Sequence, residues 1–326
     1  YLLRYLLKHG RKKVRALRRK TSSMALVQEV KNQVEWVDGD LLDILALEEA
    51  MEGVQQVYHT AAVVSFQGAD GRRMIKVNQQ GTANVVNLAL EMGVEKLVHV
   101  SSIAAIGRDK GQQHIDETTK WQPAGENSQY GISKHLAEME VWRGIAEGLP
   151  AAIVNPSNVL GSGFWRGRTT TGQLFYKIWK GLKFLPQGAT GFVDVRDVAL
   201  FSVSLMESGI TGERYILNGE NLPYATVFSE IAKVLNVPPP SIPVNAFLRE
   251  TVWRAAWLFS KLSGQAPFIT KEIVRASARN YYYDAGKSLR AIPGFCYTPI
   301  SQTIEQTGRQ FLESTKKDFQ PMVLPV

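Results

Sequence analysis

The first half of the chain alternates short apolar runs with amphipathic helical stretches, and no other feature constrains the fold as tightly. Strands separated by helices point to a parallel sheet covered on both faces. The runs fall around Val14–Leu17 and at Val34–Val37, Val54–His59, Lys96–Val100 and Ala151–Asn155. Helices are expected through Leu45, Leu47 and Met51, over Lys76–Met92, and from Tyr130 onward. An opening helix carrying Leu2, Leu3, Leu6 and Leu7 stops at Gly10. Polar clusters follow the strands directly, at Thr60-Ala61-Ala62, Ser101-Ser102 and Asn155-Pro156. Open α/β sheets gather their ligands at that end.

After Pro156 the order loosens. A Gly/Thr-rich loop from Gly161 to Gly172 leads to a helix with Phe175, Ile178 and Trp179. Phe192–Ala199 is expected to open another helix with Asp197 as its N-terminal cap, and Arg214–Leu217 reads as a strand. Pro238-Pro239-Pro240 precedes an aromatic-rich helix, Ala246–Leu262, with Trp253, Trp257 and Phe259. Its Arg249, Glu250 and Arg254 favour the wall of a hydrophobic substrate cleft or a dimer contact over a membrane-surface anchor. The polar stretch Arg108–Asn127 is long for a compact domain, and such loops tend to be functional.

Composition narrows the class. Of 326 residues, 44% are apolar and 21% charged, which suits a globular protein with an ample core. The single cysteine, Cys296, excludes an internal disulfide framework and a Cys-based zinc site. No two histidines have metal-ligand spacing, so no catalytic metal is expected, and His59, His99 and His114 read as core or surface imidazoles. No apolar run is long enough to span a membrane, and a cytoplasmic location is expected. The net charge of +8 is concentrated in Arg11–Lys20, where it flanks the apolar Val14, Ala16 and Leu17. That placement favours a local phosphate site over a nucleic-acid surface. The chain begins at Tyr1 inside a helical pattern, so its natural beginning is expected to precede this residue.

One pair carries chemistry. Tyr130 and Lys134 stand four residues apart and share one helix face. A phenol with an ordinary pKa of about 10 is a poor proton donor at neutral pH. An adjacent ammonium stabilises the phenolate and makes the tyrosine a usable general acid or base.

Jointly with its surroundings the pair resembles an extended short-chain dehydrogenase/reductase of the NAD-dependent epimerase/dehydratase superfamily. The matching pieces are Gly39-Asp40-Leu41, Thr60-Ala61-Ala62, Asn78 with Gly81-Thr82, Ser101-Ser102 with Gly107, Tyr130 and Lys134, Asn155-Pro156-Ser157 with Gly161, and Asp194–Ala199. Asn155–Gly161, together with Ile269–Val274 and Tyr281–Lys287, is similar to the dihydroflavonol-reductase and 3β-hydroxysteroid-dehydrogenase-like branch. The family's opening Gly-x-x-Gly-x-x-Gly turn does not occur in this sequence. Tyr1–His9 looks like the helix that follows it, so the turn is expected before Tyr1.

The resemblance implies a Rossmann-type doubly wound parallel sheet with a smaller, mostly helical C-terminal substrate domain. The dinucleotide-binding part would be 1–160 plus about 192–218, and the substrate part 161–191 plus 219–326. It implies a hydride transfer between a nicotinamide cofactor and a ketone or secondary alcohol. Ser102 would bond the substrate oxygen, Tyr130 would give or take the proton, and Lys134 would lower the phenol's pKa and hold the cofactor ribose. Cofactor contacts are expected from Arg18, Arg19, Asp40, Leu41, Thr60, Ala61, Ala62, Asn78, Ser101, Tyr130, Lys134, Asn155 and Pro156. Asn78 would also brace the strand end below Ser102. Substrate contacts are expected from Ser65, Phe66, Ser102, Ile103, Tyr130 and Trp165, with Phe164, Trp257 and Phe259 extending an apolar lining.

The second strand ends in Arg18-Arg19-Lys20-Thr21-Ser22 without an acid, which favours NADP over NAD, with Arg19 as first contact and Arg18 as second. Two alternatives stand beside this. A nucleotide-sugar epimerase or dehydratase would use the same Ser-Tyr-Lys site, with Arg166, Arg168 or Arg196 on the diphosphate. A non-catalytic dinucleotide-binding protein would need neither Tyr130 nor Lys134. A homodimer through the Tyr130 helix is the family's habit.

Overall fold

The structure is a computed structural model that describes residues 1–10, 13–65, 67, 70–107, 111, 113–123, 127–166, 171–244 and 277–326. In chain order the elements begin with α1 (Leu2–Lys8), β1 (Arg15–Arg18), β2 (Glu35–Asp38), α2 (Ile44–Met51) and β3 (Gln56–His59). They continue with α3 (Gly71–Ile75), α4 (Gly81–Glu91), β4 (Lys96–Val100), β5 (His114–Ile115), α5 (Gln129–Ala146), β6 (Ala151–Pro156) and β7 (Asn158–Leu160). Next come α6 (Gly172–Trp179), β8 (Phe184–Leu185), β9 (Ala189–Asp194), α7 (Val195–Glu207), β10 (Glu213–Leu217), β11 (Glu220–Pro223) and α8 (Tyr224–Val234). The strands β12 (Ile242–Pro243) and β13 (Tyr282–Tyr283) follow, with two closing helices at Gly286–Ala291 and Ile300–Thr315.

The central sheet is parallel throughout, in the order β10-β6-β4-β3. Its middle strands are covered on both faces: Leu97 and Val98 of β4 and Ala151–Val154 of β6 have no exposed surface. This is why Ala151–Val154 reads as an unbroken apolar run instead of an alternating one, while β4 buries Lys96 and His99 among its apolar residues. On one face Val85, Val86 and Leu88 of α4 and Val141 of α5 form a core with Leu47 and Met51 of α2. On the other, Phe201, Leu205 and Met206 of α7 pack on Val98, Ala152 and Val154. The pair β1–β2 runs parallel as a ladder of its own. A second core joins Leu160, Phe175 and Phe192 to Phe228 and Ile231 of α8 and to Ile304 and Phe311 of the last helix.

The helical stretch expected over Lys76–Met92 starts earlier, at Gly71, and is interrupted by a wide π-helical turn at Lys76–Gln80. The helix expected over Phe192–Ala199 is corrected. Residues 192–194 belong to the fully buried strand β9, and α7 starts at Val195. Its cap is Asp194, whose carboxylate accepts from the Arg196 N–H at 2.7 Å. Asp197 instead reaches across the fold to the N–H and hydroxyl of Thr298, at 2.7 and 2.9 Å. Inside the long loop, β5 pairs with β13 and ties the C-terminal segment over it. The expected helix Ala246–Leu262 and the Ile269–Val274 segment lie outside the described residues. Among the described residues no helix is long and apolar enough to cross a membrane.

Candidate active site

The site grows from the C-terminal end of β4. Ser102 follows the strand, and its hydroxyl accepts the Ala104 N–H at 3.1 Å, capping the short 3-10 turn Ile103–Ala105. The first turn of α5 lies against that turn. Ser128 caps the helix by accepting the Gly131 N–H at 2.9 Å. Gly131 lets the two backbones touch, since a Cβ there would stand 2.8 Å from the Ala104 carbonyl oxygen. This approach brings the Tyr130 phenol into a side-chain hydrogen bond with Ser102. One turn on, the buried Lys134 donates from Nζ to the Val100 carbonyl at 2.9 Å. The three residues of the sequence-based triad thus meet at one strand end.

Their electrostatics follow from burial. Desolvation raises the Tyr130 pKa above 10, and the Ser102 hydrogen bond offsets part of this, so the phenol holds its proton at neutral pH. The Lys134 amine is turned to the Val100 carbonyl in this arrangement. Burial lowers the Lys134 pKa to about 8, opposed by the Glu138 charge. His59 and His99 stack beneath the site with ring centres 5.0 Å apart. Burial, reinforced by the Lys134 charge, pushes His59 down to about 3 and His99 well below its ordinary value, so both are neutral.

Below Ser102 lies a polar cluster that the sequence reading missed. Glu138 has no exposed surface. Its carboxylate accepts from Ser101 Oγ at 2.7 Å, Asn155 Nδ2 at 2.8 Å, Arg214 Nη1 at 3.1 Å and Trp142 Nε1 at 3.3 Å. Asn155 also donates to the Ser102 carbonyl at 3.0 Å. The signal was available: Tyr130, Lys134 and Glu138 repeat every four residues on one helix face.

This cluster includes two of the expected cofactor contacts. Asn155 is fully buried and Ser101 nearly so; the Ser101 hydroxyl and the Asn155 amide nitrogen are engaged beneath Ser102, while Asn155 Oδ1 is buried without a hydrogen-bond partner among the described residues. Pro156 is buried at the end of β6, opposite Leu217. Asn78 braces, but not the Ser102 strand end. It accepts the Val63 N–H at 2.7 Å and donates to the Val63 carbonyl at 2.9 Å and to Ser133 Oγ at 3.0 Å. It therefore pins the loop after β3 to α5.

Other expectations divide likewise. Thr60, Ala61 and Ala62 are exposed at the end of β3. Asp40 closes its turn by accepting the Leu42 N–H at 3.1 Å, while the Leu41 side chain is buried in the α4 core, leaving its backbone at the turn. Arg18 forms an ion pair with Asp38 at 3.0 Å, and Arg19 is exposed. Three of the expected substrate contacts have their side chains engaged within the fold. Ser65 is buried and donates to Asp70 at 2.6 Å. Ile103 packs with Ile106, Ile115 and Tyr283. Trp165 is core, edge-on to Phe311, with its indole N–H on the Gln320 carbonyl at 3.1 Å. Phe164 is half-buried. Phe66, Arg168, Trp257 and Phe259 lie outside the described residues.

A cleft of about 740 Å³ opens on the opposite side of the Ser102 turn, bordered by Gly107, Asp116, His135, Arg214 and Lys287. Trp121 and His135 stack in parallel on its wall, 4.0 Å apart. Ser102, Tyr130 and Lys134 are not among its lining residues, so this cleft is not where the chemistry sits. Among the described residues no group of three His, Cys, Asp or Glu side chains could hold a metal ion.

A parallel α/β sheet with serine, tyrosine and lysine at the end of a central strand defines an NAD(P)-dependent enzyme of the extended short-chain dehydrogenase/reductase type. The comparisons agree. Residues 1–217 match the model of the NAD dependent epimerase/dehydratase family, and the chain belongs to that family. It is 31% identical over 319 residues to a Synechocystis protein carrying the name dihydroflavonol 4-reductase, covering 95% of this chain and 90% of that one. It is 33% identical over 255 residues to sterol demethylase protein B of Methylococcus capsulatus, covering 77% and 75%. The crystal structure of gox2253 superposes with a TM-score of 0.77 at 31% identity, covering 96% of this chain and 94% of that one.

The residues present suit a dinucleotide. The exposed small residues after β3 leave the backbone open to close approach, Arg19 follows β1 exposed, and α5 sets the Tyr130 pair against the end of β4.

Proposed function

We propose that this enzyme is an NADP-dependent reductase, acting reversibly on a ketone or secondary alcohol that carries a hydrophobic part. The observation that carries it is the Tyr130–Ser102 hydrogen bond, which sets two hydroxyls side by side where a carbonyl oxygen would be received. The nicotinamide supplies or accepts the hydride when bound. Tyr130, holding its proton at neutral pH, gives it to the oxygen as negative charge develops there. Ser102 orients that oxygen. Lys134 swings from the Val100 carbonyl toward the cofactor ribose and the phenol, restoring the charge that stabilises a phenolate.

Arg19 supports NADP, being exposed where a 2′-phosphate would lie, while Arg18 is held by Asp38. Of the arginines weighed for a nucleotide-sugar diphosphate, Arg168 lies outside the described residues and the other two are engaged by acids. Arg196 is bound to Asp194 at 2.6 Å, and Arg166 stacks over Phe319 beside Asp318. A homodimer through α5 belongs to the same proposal; Met139 on that helix is 41% exposed. Sedimentation of the purified protein checks it.

The test is turnover by the full-length protein with NADPH against NADH on dihydroflavonol-type and sterol-type ketones. Tyr130→Phe is expected to lose about 10²–10⁴-fold in kcat while still binding NADPH. Wild-type rates in that variant overturn the reading, as does net turnover of a UDP-sugar without cofactor consumption.

A further inference from the structure

Two features beneath the catalytic pair have no part in the chemistry above, yet each touches it. The first is the Glu138 carboxylate, which no solvent reaches and which four donors surround, from the segment after β4 and from α5, β6 and β10. The second is the direction of those donors. Ser101 and Asn155 are the immediate supports of Ser102, one by chain adjacency and the other through the 3.0 Å bond to the Ser102 carbonyl. Glu138 also lies one turn beyond Lys134 on the same face of α5. A carboxylate kept from water costs several kcal/mol unless it is paired and hydrogen-bonded. Here Arg214, half-withdrawn from solvent, supplies the opposite charge at 3.1 Å, and its remaining N–H groups are held by the Glu117 and Thr119 carbonyls.

We propose that Glu138 is a positioning residue for the proposed reaction: it fixes the Ser102 segment through Ser101 and Asn155, and it stands one helix turn from Lys134 as the neighbouring anion on α5. The inference rests on the catalytic roles given above to Ser102, Tyr130 and Lys134.

The surroundings of Lys134 make the second half specific. From β3 and β4 it faces the neutral His59 and His99, which supply no negative charge. Glu138 stands one turn further along α5, and its charge raises the proton affinity of Lys134 against burial. Glu138 in turn is faced by Arg214 from β10 and by His135 on its own helix. Replacing the carboxylate by an amide removes that charge and leaves the desolvation of the lysine less opposed. Lys134 then sheds its proton at lower pH, and activity that needs its charge ends earlier on the alkaline side.

The experiment compares pH profiles of kcat for the full-length wild type and Glu138→Gln with NADPH and a turned-over ketone. The expected result is a fall in kcat of about 10-fold or more, a KM for NADPH within about twofold of wild type, and an alkaline limb displaced to lower pH by at least about half a unit. An unchanged alkaline limb overturns the proposal, even if rate and thermal stability both fall, because support alone does not move a titration. Should Glu138→Gln fail to fold around an unpaired Arg214, the double variant Glu138→Gln/Arg214→Met removes the stranded cation and carries the same expectation. Glu138→Asp, which keeps the charge, is expected to retain the wild-type limb. Tyr130→Phe is assayed in parallel. If it turns over at the wild-type rate, the catalytic reading itself fails; if it is inactive and the Glu138→Gln limb is unmoved, only the role of Glu138 fails.

Discussion

Arg18 and Asp38 face each other across the β1–β2 ladder, where their Cα atoms are register partners and their side chains form an ion pair at 3.0 Å. The pairing divides labour between neighbouring arginines. Arg18 is spoken for by an acid, and Arg19 extends into solvent. Arg19→Gln is therefore expected to raise the KM for NADPH by about 10-fold or more, the worth of one charge-assisted contact, and to leave the KM for NADH within about twofold. Arg18→Gln should affect both cofactors by a similar, smaller factor. Equal effects of Arg19→Gln on the two cofactors would remove the 2′-phosphate from the account.

Asn78 fastens Val63 from both sides of one peptide segment. Truncation to alanine leaves the Val63 N–H and carbonyl without these bonds and also frees Ser133, at a cost of about 2–3 kcal/mol. Urea unfolding measures the loss. Kinetically, the defect should show as a weaker cofactor KM, because the slackened loop is the one bearing Thr60, Ala61 and Ala62.

Gly131 is where α5 meets the Ser102 turn. A methyl group there meets the Ala104 carbonyl at 2.8 Å and the Ser128 hydroxyl at 3.3 Å, so the helix start must shift. Gly131→Ala should lower kcat by about 10-fold or more, since small displacements of reacting groups are costly. A melting temperature close to wild type, with activity reduced, is the expected signature; full activity would show that the turn yields without moving Tyr130.

Asp197 carries a pH signature of its own. Burial raises its carboxyl from an ordinary 3.8 to about 6, against the two Thr298 hydrogen bonds that lower it. Between those values the folded chain binds more protons than the unfolded one, so this group's contribution is full below about pH 4. It is lost progressively as pH rises to about 6. The change is of the order of 1–3 kcal/mol for the nearly buried side chain. Stability of Asp197→Asn relative to wild type should thus improve between pH 4 and pH 7, as read from urea midpoints; a flat difference would contradict the burial account.

Much of the sheet was legible because β3, β4 and β6 are apolar and are separated by amphipathic helices, a pattern local to each run. The triad was legible for the same reason: Tyr130 and Lys134 define a helix face without help from the rest of the chain. What failed depended on distant partners. Asp194 and Asp197 are equally good caps by type, and the choice between them is made by Thr298, about a hundred residues away. The side chains of Leu41, Ile103 and Trp165 are drawn into cores whose other halves lie elsewhere in the sequence, so motif position gave no warning of their burial. Asn155 matched a family position, but Glu138 and the Ser102 carbonyl take its amide.

The wide turn at Lys76–Gln80 works as a phase shifter. By holding one residue more than a regular turn, it rotates the helix before it by about 100° relative to the helix after it. Gly71 and Met74 on one side and Val85 and Val86 on the other are thereby all directed inward. Removing a single residue there would rewind the rod and swing its leading segment off the protein, whereas an exchange of side chains at Lys76 or Gln80 would leave the screw unchanged.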